Sequence, residues 1–397
     1  MKQGWTYKKL GEVFSSINNG ANIKQIKGAT GIPITRIETL SNDKFNRDRM
    51  GYANIENVTP FASYVLNEGD ILMSHINSMK FLGRSVAYSK MGDETIIHGM
   101  NLLRLVPTTN VLSPFMIYQF QTRYFKDQIL QISHQSVNQA SFNITNLKGL
   151  NIMVPSLAEQ ERIVERLDAA FAQIDELKSN AERQLAEARA LFQAALTQAM
   201  QPKPSWEKKP LKELCQKRNT INWQEIDENQ LFTYIDLSSV DRELLSITEP
   251  QTISKNSAPS RAKQILKTGD VIFATTRPTL RRVCLIPNEL DNQICSTGYC
   301  VLRPNKMIIS KWIFYSLIQD SFYHYIEPLQ TGASYPAVTD DIVKNYTINV
   351  PSLQEQFDIV SNIDNLSFNV RELEIIRQKS VVECDALKQA LLRQIFE

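Results

Sequence analysis

The chain has 397 residues, of which 43% are hydrophobic and 22% are charged, and its net charge is +2. These values exclude a disordered chain and predict two or more folded domains. Because no run of about 18 apolar residues occurs and the start lacks the apolar core of a signal peptide, we expect a cytoplasmic protein without a membrane span.

The small net charge averages over segments of opposite sign. Residues 1–156 hold 16 Lys and Arg against 10 Asp and Glu, and residues 201–352 hold 18 against 16. Residues 157–200 and 353–397 each hold 5 against 8. The positive segments favour binding to a polyanion, and the negative segments favour contacts with proteins. The excess in residues 201–352 is too small to establish nucleic-acid binding by itself.

The cysteines and histidines show no metal-binding pattern. The five cysteines include no Cys-x-x-Cys pair, and no two of the four histidines have the helical spacing of a metal pair. We therefore expect structural thiols in a reducing compartment and no metal site.

The most informative feature is an internal repeat. Residues 154–160 read Val-Pro-Ser-Leu-x-Glu-Gln, and residues 350–356 repeat this pattern. Each copy follows the same landmarks, which are a Gly-Asp turn with an apolar strand, a Leu-Arg pair in a second strand, a short aromatic helix and a polar loop. These landmarks lie at residues 69–74, 102–107, 113–120 and 141–142 in the first copy and at residues 269–274, 301–304, 310–317 and 334–335 in the second. The repeat predicts two domains of one architecture.

Between the landmarks the two copies differ, above all at residues 20–60 and 220–265. Short β-branched and aromatic runs, interrupted by Gly, Asn and Asp, predict a mixed α/β fold for each domain. A shared frame with divergent interiors favours one scaffold that carries two specificities. Neutral drift in loops is the alternative explanation.

A long helix is predicted directly after each copy of the motif. Apolar residues recur there at steps of three and four, as in a coiled coil, and no Pro or Gly interrupts either run. Ser156 and Ser352 have the capping-box spacing to Glu159 and Glu355. Each helix would span about 43 residues and roughly 65 Å, and we expect the two to pair as an antiparallel coiled coil with pseudo-two-fold symmetry. The predicted segments are a first domain at 1–155, a central helix at 156–200, a second domain at 201–351 and a C-terminal helix at 352–397.

This layout resembles the specificity subunit of bacterial and archaeal type I restriction-modification systems, and the resemblance covers essentially the whole chain. It implies two target recognition domains of α/β (mixed α+β) fold, each reading one half of a bipartite, asymmetric site in double-stranded DNA. It also implies that the helix pair sets the half-site spacing and docks two modification (methyltransferase) subunits. Restriction subunits, which are ATP-dependent translocases and nucleases, would join that core.

Catalytic motifs are not found in the sequence. It contains neither the Gly-Lys pair of a P-loop nor an Asn-Pro-Pro-Tyr-like motif of an amino-methyltransferase. The chain is therefore expected to be non-catalytic and to hold no cofactor, with S-adenosylmethionine, ATP and Mg²⁺ in partner subunits. Two alternatives remain, a coiled-coil scaffold without DNA readout and a specificity module of another DNA-modifying system.

Polar and cationic side chains in the two domains are the candidates for DNA contact, because such groups bind base edges and phosphates. In the first domain they are His75, Asn77, Ser78, Lys80 and Arg84 after the Gly-Asp strand, and Lys24, Lys27, Arg36, Arg47 and Arg49 before it. In the second domain they are Thr275, Thr276, Arg277, Arg281 and Arg282 after the strand, Lys217, Arg218, Lys255, Arg261 and Lys263 before it, and Ser334 and Tyr335 in the last polar loop. For each of them, a solvated surface position is the alternative.

Four further residues have more specific interpretations. Arg104 and Arg303 lie within predicted strands, so we interpret them as structural. Phe142 and Tyr335 occupy the last polar loops, where we expect an aromatic ring to anchor the loop rather than to pack on a base.

Overall fold

The computed structural model describes residues 4–26, 31–41, 43–137, 139–332 and 334–397. The chain forms two compact units. The first comprises Met1–Glu182 with Gln378–Glu397, and the second comprises Arg183–Arg377. Each long helix contributes one part to each unit.

In its described residues, the first unit holds many short strands and four short helices before the first long helix. Its strands are β1 (Thr6–Lys9), β2 (Phe14–Asn19), β3 (Gln25–Ile26), β4 (Ile32–Ile34), β5 (Leu40–Ser41), β6 (Lys44–Phe45), β7 (Gly51–Ala53), β8 (Ile71–Ser74), β9 (Ile76–Asn77), β10 (Ser85–Ala87), β11 (Leu102–Pro107), β12 (His134–Gln135), β13 (Ala140–Ser141) and β14 (Asn151–Val154). Its helices are α1 (Leu10–Val13), α2 (Ser113–Gln121), α3 (Arg123–Ile132), α4 (Ile144–Lys148) and the long α5 (Leu157–Ala199), which continues into the second unit.

A four-stranded antiparallel sheet, ordered β10-β8-β11-β2, forms the centre of the first unit. Strand β8 is apolar from Ile71 to Met73, and both of its faces are buried. Ile71 and Met73 join the core beneath the short helices, whereas Leu72 joins a second core with Leu102 on the opposite face. This arrangement follows from the alternation of side chains along a strand, and it fixes the start of the loop that follows β8.

The second unit repeats this plan with a larger additional sheet. Its strands are β15 (Glu207–Pro210), β16 (Cys215–Gln216), β17 (Asn219–Thr220), β18 (Phe232–Ile235), β19 (Val240–Asp241), β20 (Ser246–Ile247), β21 (Gln251–Ile253), β22 (Ala262–Ile265), β23 (Val271–Ala274), β24 (Val283–Leu285), β25 (Ile294–Ser296), β26 (Tyr299–Pro304) and β27 (Thr347–Val350). Its helices are α6 (Leu211–Leu214), α7 (Ser310–Leu317), α8 (Asp320–Ile326), α9 (Asp340–Asn345) and the long α10 (Leu353–Phe396), which continues into the first unit. The sheet β16-β26-β23-β24 corresponds to the central sheet of the first unit, and β17-β22-β25-β18-β21 is the additional one.

Buried ion pairs stabilise the Gly-Asp turn in both units. Arg104 lies 2.7 Å from Asp70, and Arg303 lies 2.8 Å from Asp270. Burial raises the pKa of Asp70, and the hydrogen bond to Asp270 raises the pKa of Arg303. The structural interpretation of Arg104 and Arg303 is therefore confirmed.

Both long helices begin directly after the serine that the capping pattern indicated. The hydroxyl of Ser156 accepts a hydrogen bond from the Glu159 N–H at 3.4 Å, and Ser352 does the same for Glu355 at 3.3 Å. The reciprocal half of the capping box is replaced by charged partners. The Glu159 carboxylate binds Arg162 instead, because a hydrogen bond between charged groups is stronger than one to a neutral N–H.

The long helices run antiparallel inside each unit. In the first unit, Lys178 lies 2.8 Å from Asp385, and Lys388 lies 2.5 Å from Asp175. An earlier residue of α5 thus faces a later residue of α10, as in an antiparallel pair. In the second unit, Arg189 lies 2.6 Å from Glu374. Apolar residues of both helices enter each domain core, such as Ile163, Leu167, Leu392 and Ile395 in the first unit and Leu196, Val360 and Ile363 in the second. Every helix within the described ranges is too short or too polar to span a bilayer.

Candidate nucleic-acid interface

In the second unit, the loop after β23 pairs with the last polar loop. The Thr275 hydroxyl and N–H both donate to the Gly298 carbonyl, at 2.9 and 2.8 Å, which fixes the loop to the core. The Val338 N–H then donates to the Thr275 carbonyl at 2.9 Å, and Thr276 forms a bridge with Ala337. The structure thus brings together two segments that lie about 60 residues apart in the sequence.

Arg277 and Tyr335 meet where these loops pair. The Arg277 N–H donates to the Pro336 carbonyl at 2.7 Å, and its guanidinium lies 4.8 Å from the centre of the Tyr335 ring. Tyr335 is 69% exposed, so it does not anchor its loop in the core. Ser334 beside it is exposed as well.

Arg281 and Arg282 end the same loop but have more contacts within the domain. Arg281 lies 2.7 Å from Asp320 and 4.2 Å from the centre of the Tyr323 ring, although its side chain is half exposed. Arg282 is partly buried, and its Nε has no hydrogen-bond partner among the described residues. A phosphate that binds Arg281 would therefore have to compete with Asp320. The Nε–H of Arg282, by contrast, lacks an acceptor among the described residues.

The other candidates of the second unit lie outside this pair of loops. Arg218 forms an ion pair with Asp340, two residues after Val338, and therefore lies next to the loops. Lys255 donates to the carbonyls of Gln224 and Ile226, so it fastens another loop. Three cations are exposed, namely Lys217, Arg261 and Lys263.

The first unit shows the same pairing of loops. Strand β9, which follows the Gly-Asp strand, pairs with β13, which in turn pairs with β12. The Phe142 N–H donates to the His75 carbonyl at 3.2 Å. Both domains therefore present the loop after the Gly-Asp strand beside the last polar loop.

The side chains at this junction differ from those of the second unit. Phe142 is 3% exposed and packs against His75, so it anchors its loop as expected. Burial lowers the pKa of His75, which keeps the imidazole neutral near pH 7. Asn77 donates to the Ser74 hydroxyl and accepts from the Ser78 N–H. Ser78 itself is exposed.

Two cations of the first unit flank the ring of Phe81. Arg84 lies 4.3 Å and Lys80 lies 5.4 Å from the ring centre. Arg84 also lies 3.5 Å from Asp43 and donates to the Leu40 carbonyl. Lys80 is exposed and therefore available to a phosphate.

The remaining candidates of the first unit differ in how readily a DNA phosphate could bind them. Arg47 binds Glu94 and the Ser89 carbonyl, and Arg36 donates to Gln25. Two cations are exposed, Lys24 and Arg49, and Lys27 lies outside the described residues. A DNA phosphate would have to displace Glu94 before it could bind Arg47.

Sequence reasoning missed the hairpin formed by β19 and β20. Its tip contacts the long helices of the same unit, with Glu243 lying 3.5 Å from Arg189 and the Leu244 carbonyl accepting from Arg371. The tip borders a cavity of about 210 Å³ that Arg281 also lines. A left-handed backbone at Leu245, with φ of 50°, shapes the tip. No sequence motif indicated these contacts, because they join residues that are far apart in the chain.

Among the described residues, no cluster of His, Cys, Asp and Glu could hold a metal ion. The described cysteines form no disulfide. Burial raises the pKa of Cys215 and of Cys284 to about 12. These thiols are protonated at neutral pH, as structural cysteines are.

Comparisons with known proteins agree with this architecture. The sequence pattern of the type I restriction modification DNA specificity domain matches residues 2–187 and 204–382. The putative type I restriction enzyme MjaX specificity subunit of Methanocaldococcus jannaschii is 27% identical, over 99% of this chain and 93% of its own length. The type I restriction enzyme StySPI specificity subunit of Salmonella potsdam is 22% identical, over 92% of this chain and 81% of its own length.

Two solved structures share the fold. A chain described as "Structural basis underlying complex assembly and conformational transition of the type I R-M system" has a TM-score of 0.73 at 19% identity, covering 99% of this chain and 98% of its own. The HsdS subunit from Thermoanaerobacter tengcongensis has a TM-score of 0.51 at 18% identity, covering 100% and 97%. The mixed α/β fold with two similar domains and two long helices is thereby confirmed. The chain belongs to the type I restriction modification DNA specificity family, and it is a specificity subunit of a type I restriction-modification system.

Proposed function

We propose that each domain reads one half of a bipartite, asymmetric site in double-stranded DNA through its pair of loops. The observation that carries this proposal is the repeated pairing of the loop after the Gly-Asp strand with the last polar loop. One backbone frame presents different side chains in the two domains, Asn77 and Ser78 in one and Arg277 and Tyr335 in the other. Different side chains at one place in a shared frame suit two different half-sites.

Charge supports an interaction with phosphates, most clearly for the first domain. Residues 1–156 carry 16 Lys and Arg against 10 Asp and Glu. Lys80 is an exposed cation of the loop after β8, and further exposed cations precede the Gly-Asp strand of each domain in the chain, namely Lys24, Arg49, Lys217, Arg261 and Lys263. Such contacts strengthen binding without regard to sequence, and the loops would supply the base contacts.

We propose further that the helix pair sets the half-site spacing and docks two modification subunits. Both helices expose large apolar side chains, as expected for a protein contact. In the second unit, Phe368 and Ile375 are 63% and 65% exposed and lie seven residues apart on one face of α10. In the first unit, Leu177 and Val382 are exposed. Restriction subunits would join the same core.

Methylation, ATP hydrolysis and cleavage belong, in this proposal, to the partner subunits. These subunits would hold S-adenosylmethionine, ATP and Mg²⁺, and this chain would be non-catalytic. The sequence lacks P-loop and amino-methyltransferase motifs, which supports that division. A solved relative of the fold comes from work on the complex assembly of a type I system, which is consistent with a multi-subunit partner set.

Methylome sequencing of the host, with and without this chain, tests the proposal. We expect a bipartite methylated motif that disappears when the chain is deleted and returns when it is supplied from a plasmid. A chain whose domains have been exchanged with those of a relative serves as the control, since it should produce a new motif. An unchanged methylome after deletion would rule the proposed function out.

A further inference from the structure

We infer that Arg277 reads a guanine in the half-site of the second domain and that Tyr335 positions its guanidinium. The inference rests on the proposed function and deepens it, because it assigns one base and one reading residue to one domain. It depends on four features of the loops after β23 and before α9, namely their backbone pairing, their backbone conformation, the free guanidinium of Arg277 and the exposed ring.

Backbone hydrogen bonds hold both side chains in place from both loops. Arg277 is tied to Pro336 through its N–H at 2.7 Å, and the preceding residue, Thr276, bridges to Ala337. Ala337 is in turn bonded to Thr331 in both directions at 2.9 Å. Tyr335 therefore lies in a short closed loop whose two ends are joined to each other and to the loop of Arg277.

The backbone of Arg277 adopts a conformation that residues with side chains rarely take. Its φ and ψ are 50° and 56°, in the left-handed region, and Arg281 at the other end of the turn is left-handed as well. Such strain persists only where the surrounding structure enforces it, and it is common at binding sites. Here it lies directly before the turn Pro278–Leu280, at the point where the Arg277 guanidinium lies over Tyr335.

Among the described residues, Arg277 has the one guanidinium of this loop that is exposed and forms no ion pair. No carboxylate of the described residues forms an ion pair with it, and its stacking partner is the Tyr335 ring at 4.8 Å. Arg281 by contrast pairs with Asp320, and Arg282 is partly buried. Stacking uses the flat face of a guanidinium and leaves its N–H edge available to another group.

A stacked arginine with a free edge suits guanine better than phosphate. Two parallel N–H groups match the O6 and N7 acceptors that guanine presents in the major groove, and this is the commonest specific contact to DNA. A phosphate also accepts this fork, but it binds the point charge of a lysine as well, so a phosphate contact does not require a stacked guanidinium. The Tyr335 ring restricts the guanidinium plane before DNA arrives, which lowers the entropy lost on binding.

The test uses the full chain assembled with its modification subunit and a library of duplexes randomised in both half-sites. Selection of methylated duplexes by wild type should give a guanine in one half-site. Arg277→Ala should reduce the preference for that guanine about 10- to 100-fold and should leave the other half-site unchanged. The unchanged half-site shows that the variant folds and assembles, and Lys306→Ala, at an exposed lysine of the same domain, is the matched control.

Two conservative variants separate a base contact from a phosphate contact. Arg277→Lys keeps the positive charge but lacks the two parallel N–H groups of the guanidinium, so it should lose most of the guanine preference. The salt dependence of binding should stay near that of wild type, because the charge is unchanged. Tyr335→Phe keeps the stacked ring and should retain the preference. Tyr335→Ala should weaken the preference, because the guanidinium loses its support.

The outcomes distinguish this inference from the proposed function. A wild-type complex that selects no bipartite site would overturn both. A bipartite site with no guanine that depends on Arg277, or a guanine preference that survives in Arg277→Lys, would overturn the inference alone.

Discussion

Gln356 accepts a hydrogen bond from the backbone N–H of Ile309 at 3.0 Å while its own amide donates to the carbonyls of Met307 and Pro351. Its side chain is fully buried. Gln160 makes the equivalent bonds in the first unit, to Leu112, Asn110 and Pro155. The last residue of the repeated motif thus joins the start of each long helix to the turn before the aromatic helix of the same domain.

Gln356→Leu should destabilise the second unit by about 2–4 kcal/mol, because it leaves one N–H and two carbonyls buried without partners. Unfolding in urea, followed by circular dichroism, measures the change. Gln354→Leu is the matched control, since Gln354 is exposed and its side chain bonds to Asp358 on its own helix, and its effect should stay within about 0.5 kcal/mol. Equal urea midpoints for the two variants would show that the buried Gln356 contributes no more to stability than the exposed Gln354.

The repeated motif shows which features of the fold could be predicted from the sequence. Its repetition and its Ser-x-x-Glu spacing predicted where both long helices begin, because N-cap signals are local. The role of Gln356 was not visible, since its partners lie 47 and 49 residues earlier in the chain. A polar residue kept in both copies was the one available signal.

The candidate interface shows the same difference between local features, which the sequence predicts, and contacts between distant segments, which it does not. The loop after each Gly-Asp strand could be located because an apolar run ends there. Its partner could not, because pairing between β9 and β13 depends on the tertiary arrangement rather than on local periodicity. Charge alone also could not separate Arg47, which is bound to a carboxylate 47 residues away, from exposed cations such as Lys24.

Stability of the first unit should fall with acid through Glu94. Its hydrogen bond from Arg47 holds the pKa of Glu94 at about 2, below the ordinary value. Since the folded state favours the carboxylate, this stabilisation is complete above the ordinary glutamate pKa, about 4.3, and is lost as the pH falls towards 2. Glu94→Gln should lower the free energy of unfolding at pH 7 by about 1–3 kcal/mol. It should also reduce the loss of stability that accompanies the fall in pH.

Hydrogen exchange of the amides in residues 85–97, at pH 7 and at pH 3, measures that difference. Glu56→Gln, at an exposed carboxylate, is the control. If wild type and Glu94→Gln lost equal stability between the two pH values, the ion pair with Arg47 would not be the cause.

Arg281 should contact a phosphate in competition with Asp320. Removing one such contact lowers the slope of log affinity against log salt by about 0.9, so Arg281→Ala should bind DNA more weakly and with a smaller slope. Asp320→Asn should bind more tightly, because it frees the guanidinium from its ion pair. Salt titrations of binding by the assembled complex test both variants, with Lys212→Ala as an exposed control. Wild-type slopes in all three would remove Arg281 from the interface.

The proposed spacing role of the helices predicts a new recognition site for a shortened pair. Ion pairs Lys178–Asp385 and Asp175–Lys388 define the antiparallel register in the first unit. Deleting residues 175–181 together with 382–388 removes opposite segments of one heptad each and keeps the apolar seam in phase. The helices would shorten by about 10 Å at 1.5 Å per residue, which corresponds to about 3 base pairs of duplex.

Methylome sequencing of a strain that carries only this double-deletion chain should therefore show the same two half-sites with a spacer about 3 base pairs shorter. Exchanging the charges, with Lys178→Asp and Asp385→Lys together, is the control, because it alters the same region without changing its length. A shortened chain that assembles and still methylates at the original spacing would show that spacing is set elsewhere. The half-sites themselves should not change, since the deleted residues lie far in sequence from the paired loops that we propose read them.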